Sequence, residues 1–336
     1  MLRRILWPVV RIGGGQLTRP ALAMRPAVTT FQGAVAPNCD ALTSPIAKCV
    51  AKSTSVIMDK KDLTHFRRLY RLDLGNYIPQ PGRWRIATAL LFGIVCHALF
   101  AVAVLAMIVA MFFGMSESFG NVPQPWAWVA NIALVLQFPL THSFLLSNKG
   151  RRLLARLAPA GYGKTLSTTT YAIIASAQLF VLFAFWTPSG VSWGRAEGGL
   201  LALFCVLYGL SWLLLIKASY DAGAEVQSGA LGWMSLLQKI TPNFPDMPTA
   251  GLFRIVRQPI YVAFALTLWT VPVWTPDQLL LAISFTSYCL LAPRLKERRF
   301  AKIYGARFAR YKARVPYIFP RFRLSTSRRN SAVRRG

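Results

Sequence analysis

The chain has 336 residues, of which 54% are hydrophobic and only 15% are charged, with a formal net charge of +28. A soluble domain carries roughly 25% charged residues, and the apolar residues here come in long runs, so the composition argues against a soluble globular protein and predicts a polytopic membrane protein. The basic residues stand at the ends of the apolar runs and in both tails. This distribution argues against nucleic acid as a partner and predicts contact with anionic lipid head groups.

The first 57 residues differ in composition from the rest. They contain seven Lys or Arg and a single acid, Asp40. Such a segment is typical of an organellar transit peptide; alternatively the true start is Met58, whose Met-Asp-Lys-Lys opening is typical of a bacterial N-terminus. In either case we expect residues 1–57 to be disordered and to take no part in the fold. A basic juxtamembrane segment, 58–85, follows.

Six apolar spans follow, and they predict an all-α fold, a polytopic transmembrane helical bundle over residues 86–320. The last two spans are separated only by Trp274-Thr-Pro-Asp277, which predicts a tight C-terminal helical hairpin, since Pro276 and Asp277 are favoured at helix starts. A disordered basic tail, 321–336, closes the chain. The spans lie at about 86–114, 126–147, 168–187, 199–217, 259–274 and 277–294.

Loop charges predict the orientation. Lys and Arg are concentrated before the first span, after the second, before the fifth and after the sixth, whereas the connections after the first and third spans are nearly free of them. With an even number of spans this pattern places both termini in the cytoplasm. We therefore expect a multi-pass protein of the bacterial inner membrane, or of an organellar membrane if the N-terminal segment is a transit peptide.

The longest internal connection, 218–253, contains three prolines, Pro242, Pro245 and Pro248, that prevent helix continuation. It is either a loop that closes over a ligand or an ordinary surface connection.

A polar stretch precedes the hairpin and a second one follows it. The first reads Gly251-Leu-Phe-Arg-Ile-Val-Arg257-Gln258-Pro259-Ile-Tyr261, and the second Leu295-Lys-Glu297-Arg298. In lipid such side chains are costly unless they face a cavity or the interface. Because a hairpin returns both of its ends to one face, the two stretches are expected to form one site; taken singly, Arg257 and Arg298 could instead be ordinary interfacial anchors.

Together with Tyr304-Gly305, Phe308, Tyr311 and Val315-Pro316, these stretches resemble the membrane methyltransferases over about residues 85–320. That superfamily includes the isoprenylcysteine carboxyl, phospholipid and methanethiol S-methyltransferases. The chain is most similar to the methanethiol branch, and the likeness extends over Phe264 to Trp269, Pro272, Thr275 and Leu279-Leu280. Further matches lie upstream, at His142-Ser143, from Ser167 to Tyr171, and at Trp186 with Pro188. The resemblance implies S-adenosylmethionine as the cofactor.

By resemblance and by chemistry, the cofactor site is assigned to residues at the two ends of the hairpin. A guanidinium matches a carboxylate bidentately, Gln and Tyr supply further hydrogen bonds, and a Glu accepts from an ammonium or from ribose hydroxyls. Pro259 fixes the turn into the helix. The predicted cofactor-binding residues are Arg257, Gln258, Pro259, Tyr261, Glu297 and Arg298. The five cysteines show no metal-ligand spacing, and no metal site is predicted.

Two positions depart from the family pattern. Gln258 stands where the family usually has His, and Lys296 replaces the first carboxylate of a Glu-Glu pair. Gln keeps a donor and an acceptor but cannot titrate, and Lys places a cation near a sulfonium-bearing ligand. A relative that binds the cofactor without turnover therefore stays an alternative to an enzyme.

For the methyl acceptor, the resemblance implies a small thiol such as methanethiol, with a prenylcysteine or lipid-like acceptor as the alternative. His142, at the end of the second span, is the candidate catalytic residue that takes the thiol proton. The other explanation of His142 is an interhelical hydrogen bond. His97, inside the first span, is expected to be structural.

Overall fold

The computed structural model describes residues 81–320, which form an all-α bundle, so the predicted fold class is confirmed. The segments 1–57 and 321–336, and the first part of 58–85, lie outside the described residues. The helices are α1 (Arg83–Phe112), α2 (Trp126–Leu145), α3 (Asn148–Leu157), α4 (Gly163–Ala184), α5 (Gly198–Asp221), α6 (Ala224–Gln227), α7 (Ala230–Gln238), a 3-10 turn (Gly251–Arg254), α8 (Pro259–Trp269) and α9 (Pro276–Arg314). The strands β1 (Gly194–Arg195) and β2 (Val273–Trp274) pair antiparallel.

Within residues 81–320, five helices, rather than the expected six, are long and apolar enough to cross a membrane: α1, α2, α4, α5 and α9. The fifth predicted span, 259–274, is helical only in the 11 residues of α8, about 17 Å, against a hydrocarbon core of roughly 30 Å. The helix ends there because Pro272 cannot continue it. The rest of the span runs into β2.

The tip of the hairpin nevertheless reaches the far end of the bundle. β2 pairs with β1, which lies in the connection between α4 and α5. The hydroxyl of Thr275 donates to the carbonyl of Gly114, at the end of α1, over 2.5 Å. Asp277 accepts from the indole of Trp186 at 3.0 Å. Helix and extended segment together therefore take the chain from one end of the bundle to the other.

The last helix is longer than its apolar pattern predicted. α9 has 39 residues and runs to Arg314, twenty beyond the expected end at 294, with a kink at Gly305 (φ 48°, ψ −123°). The apolar run stops at 294, but the Lys, Arg and Ala residues that follow are good helix formers. This basic extension carries part of the site described below.

The core of the bundle lies between α1, α4, α8 and α9. Met111, Leu182, Leu268 and Leu281 are 0% exposed there. The outer faces of α1, α2 and α5 carry exposed Leu, Ile and Val side chains, as expected of helices that face lipid.

The connection 218–253 is mostly an internal element. α7 is buried against α1 and α4: Arg85 donates to the carbonyls at its C-terminal end, and the indole of Trp233 donates to Nε2 of His97 at 3.1 Å. His97 is therefore a structural acceptor, as expected. A Cβ at Gly232 would lie 2.5 Å from Oγ1 of Thr169. The proline-rich part, 240–250, has no helix and leads into the site.

Candidate functional site

Asp221 fixes the entry to the site. Its carboxylate accepts from the backbone N–H of Leu252 at 2.8 Å and pairs with Lys217. Gly251 has φ +56°, and a Cβ there would lie 2.2 Å from Oδ2 of Asp221. The first residue of the polar stretch is thus a glycine because the carboxylate presses against the backbone. The 3-10 turn that follows aims the chain at the start of α8.

The central contact of the site is a two-point ion pair between Arg257 and Glu297. Nε lies 2.8 Å from Oε1 and Nη2 lies 3.3 Å from Oε2. Nη1 donates to the carbonyls of Lys312 at 3.2 Å and Val315 at 2.6 Å, and the backbone N–H of Arg257 donates to the carbonyl of Pro316 at 2.9 Å. Arg257 therefore ties the start of α8 to the end of α9.

Gln258 joins the same network but keeps one atom free. Its Nε2 donates to Oε1 of Glu297 at 3.0 Å. Its Oε1 is buried and, among residues 81–320, accepts no hydrogen bond. A buried acceptor without a donor is costly, so this atom marks a place where a ligand's N–H or O–H would be favourable.

A small cavity lies beside this network, with a volume of about 10 Å³. That is roughly the space of a single water, whereas ligand pockets usually measure roughly 300 to 1,000 Å³, so the surrounding side chains must move apart to admit a nucleoside-sized ligand. The hydroxyl of Tyr311 donates to the carbonyl of Phe253 at 2.7 Å and thereby closes one side. Its lining residues are Pro248, Phe253, Arg257, Gln258, Lys296, Glu297, Phe300, Phe308 and Tyr311.

The residues present fit the cofactor that the resemblance implies, with one change of role. Glu297 and the free Oε1 of Gln258 are acceptors suited to an ammonium and to ribose hydroxyls, and the phenylalanines offer an apolar wall to an adenine. Arg257, expected to bind the cofactor's carboxylate, is instead held by Glu297 and two backbone carbonyls. The cation that remains in the cavity is Lys296.

Not all predicted ligands meet at this cavity. Pro259 is buried at the first turn of α8, and Arg298 is exposed and makes no hydrogen bond to the described residues. Tyr261 does not line the cavity; it lies within electrostatic reach of Tyr288, Arg299 and Tyr317.

A second polar cluster consists of His142, Tyr171, Tyr261, Tyr288 and Arg299. The hydroxyl of Tyr171 on α4 lies 2.8 Å from Nδ1 of His142 and 2.6 Å from its Nε2, which is the interhelical hydrogen bond left open above. The ring of Phe138 is 5.2 Å from that of His142 and 6.4 Å from that of Tyr288. Arg299 acts electrostatically on His142 and Tyr171.

Tyr317 connects the two clusters. Its ring lies 5.4 Å from the guanidinium carbon of Arg257, and its phenol is also an electrostatic neighbour of Tyr261. Burial and the nearby Glu297 carboxylate raise the pKa of Tyr317 above its usual value, so the protonated hydroxyl donates to the carbonyl of Leu290 at 3.0 Å.

The sequence alone assigned no role to Tyr171, Tyr317, Tyr288 or Arg299. Tyr171 ends a matched segment and Tyr317 directly follows Val315-Pro316, so both could have been found there. Tyr288 and Arg299 carry no signal in the sequence.

Known proteins similar to the chain include methanethiol S-methyltransferases and proteins named Nurim. A methanethiol S-methyltransferase of Pseudomonas sp. is 27% identical over 243 residues, 69% of this chain and 90% of that protein. One of Mycobacterium tuberculosis is 27% identical over 197 residues, 58% of this chain and 78% of that protein. Nurim of Rattus norvegicus is 31% identical over 182 residues, 51% of this chain and 66% of that protein.

No family model matches the chain, and no solved structure matches it significantly. The relatives named methanethiol S-methyltransferase support a membrane methyltransferase. The resemblance predicted from the motifs is thereby confirmed, since these homologues are consistent with the isoprenylcysteine carboxyl methyltransferase-like superfamily of membrane methyltransferases.

Proposed function

We propose that this protein uses S-adenosylmethionine to methylate a small thiol, such as methanethiol, to the corresponding thioether. The observation that carries the proposal is the cavity at the hairpin ends, where Glu297 and the unpartnered Oε1 of Gln258 offer acceptors to a ligand. The thiol is favoured over other acceptors because relatives bearing the methanethiol name align over most of their length.

Each residue of the cavity then has a task. Glu297 and Gln258 accept from the ammonium and ribose hydroxyls of the cofactor, and Arg257 keeps the Glu297 carboxylate in place. The aromatic residues Phe253, Phe300 and Phe308 form the apolar wall. When bound, the cofactor supplies an electrophilic methyl group on a sulfonium, and the thiol sulfur that receives it becomes a thioether while the cofactor's sulfur keeps the electron pair of the broken bond.

The acceptor side of the site is proposed to be the cluster around His142 and Tyr171. His142 takes the thiol proton and passes it on to water, because a second positive charge beside Arg299 is unfavourable. The aromatic rings of Phe138 and Tyr288 exclude water from the sulfur. Alignment and exclusion of water are the main requirements of such a transfer.

The proposed setting is a multi-pass protein of a bacterial inner membrane with both termini in the cytoplasm. The supporting observation is that α3, with exposed Lys149 and Arg152, and the basic end of α9 lie at the same end of the bundle as the start of α1. These cations would contact anionic lipid head groups.

The test is an assay of the purified protein in detergent with a panel of acceptors. We expect heat of binding with S-adenosylhomocysteine and formation of dimethyl sulfide from methanethiol, measured in the headspace. Methylation of a farnesylcysteine analogue or of an ethanolamine phospholipid, but of no thiol, would replace the thiol with the alternative acceptor class.

A second candidate is a protein that binds the cofactor without turnover. Lys296 favours it, because a cation stands where the family has a carboxylate, and so do the relatives named Nurim, a name that states no activity. Binding of S-adenosylhomocysteine without transfer to any acceptor in the panel would support this candidate.

A further inference from the structure

Lys296 is a charged group in the cavity that the ion-pair network leaves unused. It lines the same cavity as Gln258 and Glu297. Its Nζ lies 5.8 Å from the ring centroid of Phe253 and 5.4 Å from that of Phe300. Within the described part of the chain, Lys296 forms neither a hydrogen bond nor an ion pair. A partly buried ammonium held only by aromatic faces is poised to gain from an anionic ligand.

Arg257 has only one N–H left to offer a ligand carboxylate without losing its own contacts. A guanidinium has five N–H donors, and four hydrogen bonds already hold Arg257 to Glu297 and to the carbonyls of Lys312 and Val315. A two-point contact with a ligand would require Arg257 to release Glu297, whose carboxylate would then keep, among the described residues, only the Gln258 amide as a hydrogen-bond donor. A ligand carboxylate entering this cavity therefore meets Lys296 as its available cation.

The neighbour of Lys296 carries the opposite charge. Glu297 faces the same cavity, and the two side chains interact electrostatically. A pair of adjacent opposite charges matches the two charges of an α-amino acid, which are separated by a single carbon. A ligand with only an anionic group, such as a lipid phosphate, would leave Glu297 and the free Oε1 of Gln258 without a donor.

We propose that Lys296 binds the α-carboxylate of the cofactor while Glu297 and Gln258 bind its α-ammonium, so that this cavity recognises the zwitterionic amino-acid end. The inference rests on the proposed function, since it assumes S-adenosylmethionine as the ligand. It gives Lys296, a departure from the family pattern, the task that Arg257 was expected to perform.

The test compares two ligands that differ only at that end. S-Adenosylhomocysteine has the amino-acid end, and 5′-methylthioadenosine lacks it. We expect the wild-type protein to bind the first more tightly. The change Lys296→Met should weaken S-adenosylhomocysteine binding by about tenfold or more, the scale of one charge-assisted contact, and leave 5′-methylthioadenosine binding unchanged. Calorimetry in nanodiscs of neutral and of anionic lipid should give the same result.

Two further variants control the comparison. Lys296→Arg keeps the positive charge and should keep most of the preference for S-adenosylhomocysteine. Lys302→Met removes an exposed charge of the same helix and should change neither affinity. If the Lys296→Met protein is unstable, Lys296→Gln serves for the same measurement.

The outcomes separate the two proposals. If the wild type binds neither ligand while folded, the proposed function fails and this inference fails with it. If the wild type binds both but Lys296→Met changes the two affinities equally, or changes neither, only the role of Lys296 is overturned. Loss of the preference in anionic but not in neutral nanodiscs would assign Lys296 to a lipid head group instead.

Discussion

Arg257 and Glu297, one before the hairpin and the other after it, meet through two hydrogen bonds of 2.8 and 3.3 Å. Arg257 is 8% exposed and the side chain of Glu297 12%. Because both side chains are largely removed from water, their attraction offsets the cost of desolvation only if the two groups are well aligned. It is at once a support of the fold and the floor of the proposed cofactor cavity.

Removing the carboxylate should therefore affect stability as well as binding. Glu297→Gln leaves the Arg257 guanidinium with a weaker partner, and we expect a loss of up to about 3 to 5 kcal/mol in the free energy of unfolding, the range for a broken buried pair. Thermal unfolding in detergent measures it, and S-adenosylhomocysteine affinity should fall as well.

The exposed ion pair of Arg307 with Asp246, at 2.6 Å, is the matched control. Its side chains are 46% and 59% exposed, so Arg307→Gln should cost no more than about 1 kcal/mol. Equal effects of Glu297→Gln and Arg307→Gln would contradict a structural role for the buried pair.

Gly305 sets the direction of the end of α9. Its φ of 48° with ψ of −123° lies where residues with a Cβ are strained, at a cost of order 1 to 3 kcal/mol. We expect Gly305→Ala to straighten the helix and withdraw Phe308 and Tyr311 from the cavity. S-Adenosylhomocysteine affinity should drop together with protection of the Tyr311 region from proteolysis.

Gly209 provides the comparison for that substitution. It lies inside α5, has no positive φ, and a Cβ there would meet no atom within 4 Å. Gly209→Ala should therefore leave the protein unchanged or slightly more stable, because Ala is the better helix former. A similar loss of binding in both variants would show that the kink has no special role.

The sequence predicted the bundle and the two polar stretches because they depend on local signals: apolar runs, loop charges and residues such as Pro259 and Pro276 at helix starts. It did not predict the partner of Arg257. Whether a guanidinium meets a ligand or Glu297 depends on how the end of α9 folds back, and the apolar pattern had stopped at 294. The extended course of the chain after Pro272 likewise depends on the pairing of β1 with β2, a contact between distant residues.

Tyr171 tests the proposed acceptor cluster. Tyr171→Phe removes the hydroxyl that bonds His142 and keeps the ring, so thiol methylation should fall in kcat while S-adenosylhomocysteine affinity is preserved. Tyr208→Phe is the control, since its hydroxyl donates to the carbonyl of Ile108 at 2.9 Å in another part of the bundle. Tyr208→Phe should change the stability of the protein, but it should not lower kcat relative to the affinity for S-adenosylhomocysteine. Equal loss of cofactor binding and turnover in Tyr171→Phe would remove the distinction between the two clusters.

Because α8 is short, the membrane topology of the C-terminus tests whether the hairpin crosses the membrane. β2 pairs with β1 in the connection between α4 and α5, so the tip of the hairpin lies at the same end as that connection. The described part of the chain therefore passes through the bundle six times, five times as a long helix and once as α8 with its extended continuation. An even number of passages returns the C-terminus to the side of the basic segments.

A reporter fused after Gly336 and one near Arg156 should both read cytoplasmic, and one near Glu117 external. An external reading at Gly336 would mean that the hairpin does not cross, and that the pairing of β1 with β2 does not form in the membrane.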